Sequence, residues 1–365
     1  MIDQKYLEET FKSLHKIPEL GLREFKTSEF IANELRILNL QVQYGVGGTG
    51  VIGTLDSGNE GPIICLRADM DALEYKIDGN VFCAHTCGHD AHTTMVLGAA
   101  KALSRKGISR GKVLFLFQPA EELGVGAINI IKTGAIDHIT EMIGIHLRPV
   151  NDTQLGEATP EVIFNAGAKF NVSIQGIMSH GAWPHLGVNA IEAAVLSINS
   201  VNALKFNPLV SHSIKVTKIS CMNESHNTIP ERVELVFDIR SRTNELMEEI
   251  LTKTQKAIEF SCESIDAIAI CSVEMRLDAP KYDATLVESA ALAIKEVLGS
   301  VKSSVNAPGC EDFSFYTTML PIKAAYIGLG CNLEPGLHHI DMKFDLKALK
   351  YGTDILLKIV DLRLS

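Results

Sequence analysis

Three apolar runs in this chain end on charged or ligand-type side chains, and that junction narrows the possible folds most. Val113 to Phe117 leads into Gln118-Pro-Ala-Glu121-Glu122, Ile63 to Leu66 into Arg67-Ala-Asp69-Met-Asp71, and Met142 to Leu147 carries His146 near its end. A continuous apolar run has no face to offer water, so each predicts a strand covered on both sides. Helical patterns separate them. Ile2, Tyr6, Phe11 and Leu14 approximate one face, and Phe30, Ile31, Leu35 and Leu38 another, with Thr27 or Ser28 as its predicted cap. Such α/β sheets carry their chemistry at strand ends. The turn Gly45-Val-Gly-Gly-Thr-Gly50 lacks the spacing of a dinucleotide fingerprint and fits a reversal between strands.

From Ala168 the period changes. Phe170, Val172 and Ile174 alternate, Ser213 to Ile219, Val233 to Ile239 and Ala267 to Cys271 are further strand candidates, and Asn189 to Lys205 and Glu245 to Ser261 are helical. Two helices on about four strands predict a small α+β layer. From Ala279 helix, strand and helix signals return. If His338 joins the earlier candidates, the middle segment is an insertion, and 365 residues are enough for two domains. The expected division is 1–167 with 279–365, interrupted by 168–278.

The 34 Lys and Arg against 44 Asp and Glu give a net charge of −10, with no basic stripe, which excludes a phosphate backbone as partner. The first residues lack a basic and apolar leader pattern, and no segment reaches about 18 uncharged apolar residues. A cytoplasmic protein without membrane contact is expected. Eight irregularly spaced cysteines then fit reduced thiols and leave Cys87 available as a ligand.

The densest chemistry is His85-Thr-Cys87-Gly-His89-Asp90-Ala-His92, followed by a helical pattern from about His92. With Glu122, His146 and His338 it offers the sulfur, nitrogen and oxygen donors that suit a borderline-soft ion such as zinc. Cys87 and His89, with one residue between them, can converge on neighbouring metal positions, whereas His85 and His92 fit a supporting hydrogen bond equally well. Asp71 can orient a ligating imidazole or mark a solvated acidic strand end, and Asp69 is more ambiguous still. Glu121 and Glu122 make sense as a divided pair, one binding metal and the other moving a proton. His180, in Ser179-His-Gly-Ala-Trp-Pro-His185, is a candidate oxyanion donor, and Arg240 a clamp for a substrate carboxylate or an interdomain salt bridge.

The segments LRADMDAL, HTCGHDAHT, QPAEELGVGA, GIH, SHGAWPH, HNTIP, GCEDFSFY and LHH resemble, in order and over nearly the whole chain, the M20 metallopeptidases and amidohydrolases. The N-acyl-amino-acid amidohydrolase and hippurate hydrolase branch is the nearest in pattern. The resemblance implies a metallopeptidase domain with a mixed central sheet flanked by helices, plus an inserted α+β dimerisation or lid domain. It implies two divalent ions, zinc first, with cobalt, manganese or nickel tolerated, held by Cys87, His89, Glu122, His146 and His338. Cys87 would bridge the two ions or lie close to both. Glu121 matches the general base, Asp71 the residue supporting a ligand, and His180 a donor reaching a neighbouring subunit of a homodimer. His226, Asn227 and Arg240 match the region that recognises the substrate.

Three departures bear on the acyl pocket: Glu74 replaces a usual proline, Thr86 replaces a frequent alanine, and LHHIDMKF lacks a common proline. The implied reaction is attack of metal-bound water on an N-acyl amino acid, releasing an amino acid and a carboxylate. A carboxypeptidase or dipeptidase acting on a short peptide, or an N-acetyldiaminopimelate deacetylase, presents the same scissile amide. A non-catalytic metal-binding scaffold is the alternative of a different class.

Overall fold

The computed structural model describes every residue except Met1, Met222 and Glu224. It divides into two compact units, one of Met1–Ile163, Pro280–Ala307 and Glu311–Ser365, the other of Phe164–Ala279 with Pro308–Cys310.

The first unit is built on a seven-stranded mixed sheet. Its spatial order is Gln41–Val46, Gly50–Asp56, Lys112–Gln118, Ile63–Asp69, Glu141–Pro149, Lys323–Leu333 and Ala158–Thr159. The four strands from Lys112–Gln118 to Lys323–Leu333 run parallel, and antiparallel pairs flank them. These are the strands with unbroken apolar runs, because helices cover them on both sides. Ile64, Leu66, Phe115, Phe117, Ile143, Ile145, Ile327 and Leu329 enter the large core with the helices Gln4–His15, His89–Lys106, Ala284–Leu298 and Lys347–Leu364. Alternate residues, Arg67, Gln118, Gly144 and Tyr326, face the other way. There Gly144 leaves room for the Tyr326 ring, which an added Cβ would strike.

The helix His89–Lys106 is buried on nearly all sides and stops at Gly107. It starts at His89 rather than near His92, so the ligand motif forms its first turn. The second helix also begins earlier than its local sequence suggests, at Phe25, so Thr27 and Ser28 lie within it rather than capping it. Its cap comes from outside: Glu19 Oε2 accepts from the main-chain N–H groups of Lys26 (2.9 Å) and Thr27 (3.0 Å).

The second unit is a four-stranded antiparallel sheet ordered His212–Cys221, Arg232–Ser241, Ala166–Gln175 and Ile268–Leu277. One face is apolar at every second residue. Phe170, Val172, Ile174, Leu235, Phe237 and Ile239 pack there against the helices Ala190–Ala203 and Asn244–Glu263. Asn189 and Thr243 cap those helices by accepting from the N–H groups of Ile191 and Leu246. Among the described residues, no helix is long and apolar enough to cross a membrane.

Candidate metal centre

The ends of the parallel strands deliver the donors. Cys87 precedes Gly88, whose φ of 89° turns the chain into the helix and sets His89 in its first turn. Any Cβ at Gly88 would also press on Leu147 Cδ1 at 3.1 Å. The strand Lys112–Gln118 leads through Pro119 and Ala120 to Glu121 and Glu122, with Ala120 held at φ 54°. His146 lies within Glu141–Pro149, and His338 comes from a late loop at φ 62°.

Among the donor triads that the described residues form, two contain Cys87, one with His89 and His146 and one with Glu122 and His338, each with ligand atoms within 4.8 Å of one another. The sulfur belongs to both. His338 Nε2 lies 3.3 Å from Cys87 Sγ and 3.2 Å from Glu122 Oε1, and His146 Nε2 lies 3.6 Å from the same sulfur. His89 Nδ1 donates to Asp71, at 3.1 Å from both its carbonyl and Oδ1, which leaves Nε2 with the lone pair. His146 Nδ1 donates to the Leu147 carbonyl at 2.6 Å and directs its Nε2 likewise. Burial and the neighbouring His92 hold His146 well below the usual histidine range, so it is neutral.

Three observations fit a cation here. His89 Nε2 is buried without a hydrogen-bond partner, an arrangement that a metal bond would resolve. Burial pushes the Cys87 thiol up to about 12, and a cation would stabilise it as thiolate. Burial alone would lower the His89 pKa, yet Asp69 and Cys87 carry it well above its ordinary value, so the surroundings favour positive charge. The clusters suit a dinuclear divalent-metal centre.

The adjacent carboxylates are pushed apart. Burial, then Glu311, Asp312 and Glu122, raise Glu121 well above the carboxylate range. Burial also acts to raise Glu122, but its bond to His338 and the charge of His89 outweigh that and lower it. One carboxylate is therefore a strong proton acceptor beside the cluster, and its neighbour stays ionised. Glu121 Oε2 lies 3.9 Å from His89 Nε2.

Further residues brace the donors from behind. Asp69 Oδ1 bonds His92 Nδ1 at 2.7 Å, and His92 Nε2 accepts from the Leu147 N–H at 3.0 Å, so both His92 nitrogens are committed away from any ligand role. His85 is buried with neither ring nitrogen bonded and stands outside every donor cluster among the described residues. Asp71 Oδ2 also accepts from the Glu122 N–H at 3.0 Å, so one carboxylate steadies two candidate ligands. Glu24, fully buried, accepts from the Ala120 N–H (2.9 Å) and the Thr49 hydroxyl (2.5 Å) and fixes the turn before Glu121. Arg67, also buried, bonds Asp69, Glu311 and Asp312, and the Asp312 N–H reaches Glu121 Oε1 at 3.4 Å. An arginine inside an otherwise apolar strand was the available signal. Nothing local marks Glu24.

In the second unit, His180 lies in the short strand Ser179–His180, paired with Thr228–Ile229. Its Nδ1 accepts from the Ala182 N–H at 3.1 Å, and the side chain is exposed. The Asn227 carbonyl accepts from the Gly181 N–H at 2.7 Å, which brings Asn227 beside the His180 loop, and His226 is exposed next to it. Arg240 is half-buried and committed to Asp238 (3.0 Å) and Cys310 Sγ (2.9 Å).

The model of peptidase family M20/M25/M40 matches residues 65–362. The IAA-amino acid hydrolase ILR1-like 2 of Arabidopsis thaliana is 32% identical over 87% of this chain and 75% of its own length. The N-acetyl-L-cysteine deacetylase of Bacillus subtilis is 30% identical over 87% of this chain and 79% of its own. A crystal structure described as a dinuclear metal binding peptidase from the M20 family, also from Bacillus subtilis, superposes with a TM-score of 0.84. It is 25% identical and covers 99% of this chain and 98% of that one. With its two cysteine-sharing donor triads and its divided carboxylate pair, the chain belongs to the M20/M25/M40 peptidase family and is a metal-dependent hydrolase.

Proposed function

We propose that the protein hydrolyses the amide bond of an N-acyl amino acid, releasing an amino acid and a carboxylate. The observation that carries this reading is the divided pair, with Glu121 raised and Glu122 lowered beside a shared sulfur. Two bound cations, held by Cys87, His89, Glu122, His146 and His338, would polarise the amide carbonyl and acidify water. Zinc or cobalt suits the thiolate and imidazoles, with manganese or nickel tolerated.

Glu121 takes the proton from the attacking water and returns it to the leaving nitrogen, a double use that its raised basicity favours. Asp71 keeps His89 in the tautomer that offers Nε2 and holds the Glu122 main chain. We assign His180 as a donor to the tetrahedral oxyanion, acting in a neighbouring subunit of a homodimer, and His226, Asn227 and Arg240 to the substrate's carboxylate end. Similarity to hydrolases of acylated amino acids supports the substrate class.

The test is turnover of acetyl-, benzoyl- and longer-acyl amino acids, in parallel with dipeptides, after loading with zinc, cobalt or manganese. Metal-dependent deacylation is expected. Efficient dipeptide cleavage with negligible deacylation would reassign the protein as a dipeptidase or carboxypeptidase. Full loading with no turnover of any amide would leave only a metal-binding scaffold.

A further inference from the structure

His338 is held unlike the other imidazole donors. His89 and His146 are buried and oriented through their second ring nitrogen, whereas His338 is exposed and its Nδ1 bonds no other residue among those described. Its main chain is what is fixed. The His338 N–H donates to the Thr86 carbonyl at 2.7 Å, and its carbonyl accepts from the Tyr75 hydroxyl at 2.8 Å. The same Tyr75 oxygen lies 2.6 Å from Thr86 Oγ1. A carbonyl can only accept, so the single Tyr75 proton goes to His338 and the Thr86 hydroxyl must donate to Tyr75. The result is a directed chain from Thr86 through Tyr75 to His338. Thr86 directly precedes Cys87, so this chain ties the late loop to the loop that carries the shared sulfur.

Tyr75 belongs to a small hairpin, Leu73–Ile77 with Asn80–Ala84, where it stacks on Phe82 at a centroid distance of 6.0 Å. The hairpin lies outside the seven-stranded sheet. Its start and position 86 are also where the sequence leaves the family pattern, and an alanine at 86 could not make the donation.

We propose that Tyr75 and Thr86 are positioning residues, a hydroxyl clamp that sets the affinity of the metal site formed by Cys87, Glu122 and His338. This rests on the two-cation reading above. An exposed ligand on an untethered loop would lose motional freedom on binding, and the clamp removes that freedom beforehand. Groups that orient metal ligands typically change affinity by about 10- to 100-fold.

The experiment strips the protein with a chelator and titrates it with zinc against a chromophoric competitor, with cobalt absorption as a second record. Tyr75→Phe, Thr86→Ala and their double variant should each weaken one of two equivalents by about tenfold or more, leaving the other as in wild type. The double variant should be no weaker than the singles, because all three break one chain. Thr86→Ser, which keeps the hydroxyl, should restore wild-type affinity. Unchanged melting of the metal-free variants shows that the fold is kept. Wild-type affinity in Tyr75→Phe, or equal weakening of both equivalents, overturns the clamp alone. A wild type that takes up fewer than two equivalents overturns the two-cation reading and the clamp with it.

Discussion

In the first unit, Cys87, His89 and His146 are buried, and the imidazoles spend their second nitrogen on a fixed acceptor. In the second, His180, His226 and Asn227 are exposed, on or beside a two-stranded ladder that only Ser179–His180 and Thr228–Ile229 form. The contrast follows from what each set must compete with. Donors that capture a cation compete with water, and they do so by being held in place where the local dielectric is low. Of the groups assigned to a substrate, His180, His226 and Asn227 stay open to it, whereas Arg240 is already paired with Asp238 and Cys310. A parallel sheet supplies the first environment at its strand ends, and a peripheral ladder supplies the second.

The contrast predicts different symptoms for damage in the two places. Replacing the proposed proton carrier, Glu121→Gln, should lower kcat by about 10²- to 10⁴-fold while metal content stays at the wild-type value. Metal analysis beside steady-state kinetics checks this, and metal loss as large as in Cys87→Ala would erase the separation of roles. His180→Ala should lower kcat by about 10²- to 10³-fold, again without changing metal affinity. Activity regained on mixing His180→Ala with Glu121→Gln chains would place the histidine in a partner's site, and an unchanged kcat would leave the second unit without a chemical role. Asp71→Asn should weaken metal binding by about 10- to 100-fold, read by chelator competition, since it disturbs both His89 and Glu122. The smallest effect is expected for Glu24→Gln, whose amide turns a donor toward the Ala120 N–H or the Thr49 hydroxyl. A loss of about 1–3 kcal/mol in denaturant unfolding is expected, and none would mean that the turn before Glu121 holds itself.

What was legible in the sequence is what depends on local period. The buried strands, the alternating strands of the second unit and the candidate ligands at strand ends all follow from hydrophobic spacing plus residue chemistry. What was not legible depends on partners far along the chain. The second helix is capped by Glu19, several residues before its start, so a search for an adjacent cap settles wrongly on Thr27 or Ser28. His92 is removed from the ligand set by the Leu147 N–H, 55 positions away. Thr86 registers only as a departure from a familiar pattern until Tyr75 and His338 are seen to meet it.

The juxtaposition of Cys87 with His338 has a consequence for folding. The two are 251 positions apart, and Phe164–Ala279 of the second unit falls within the chain between them. A cation shared by these side chains would act as a reversible cross-link closing that loop. Loop-closure entropy grows only with the logarithm of length, so the link restrains the unfolded chain somewhat more than a short loop would. Because the donors converge only in the native chain, binding free energy becomes folding free energy. Chelation should then lower the melting temperature of the whole first unit, whose first and last segments would be left joined by packing, hydrogen bonds and ion pairs such as those of Arg67 with Glu311 and Asp312.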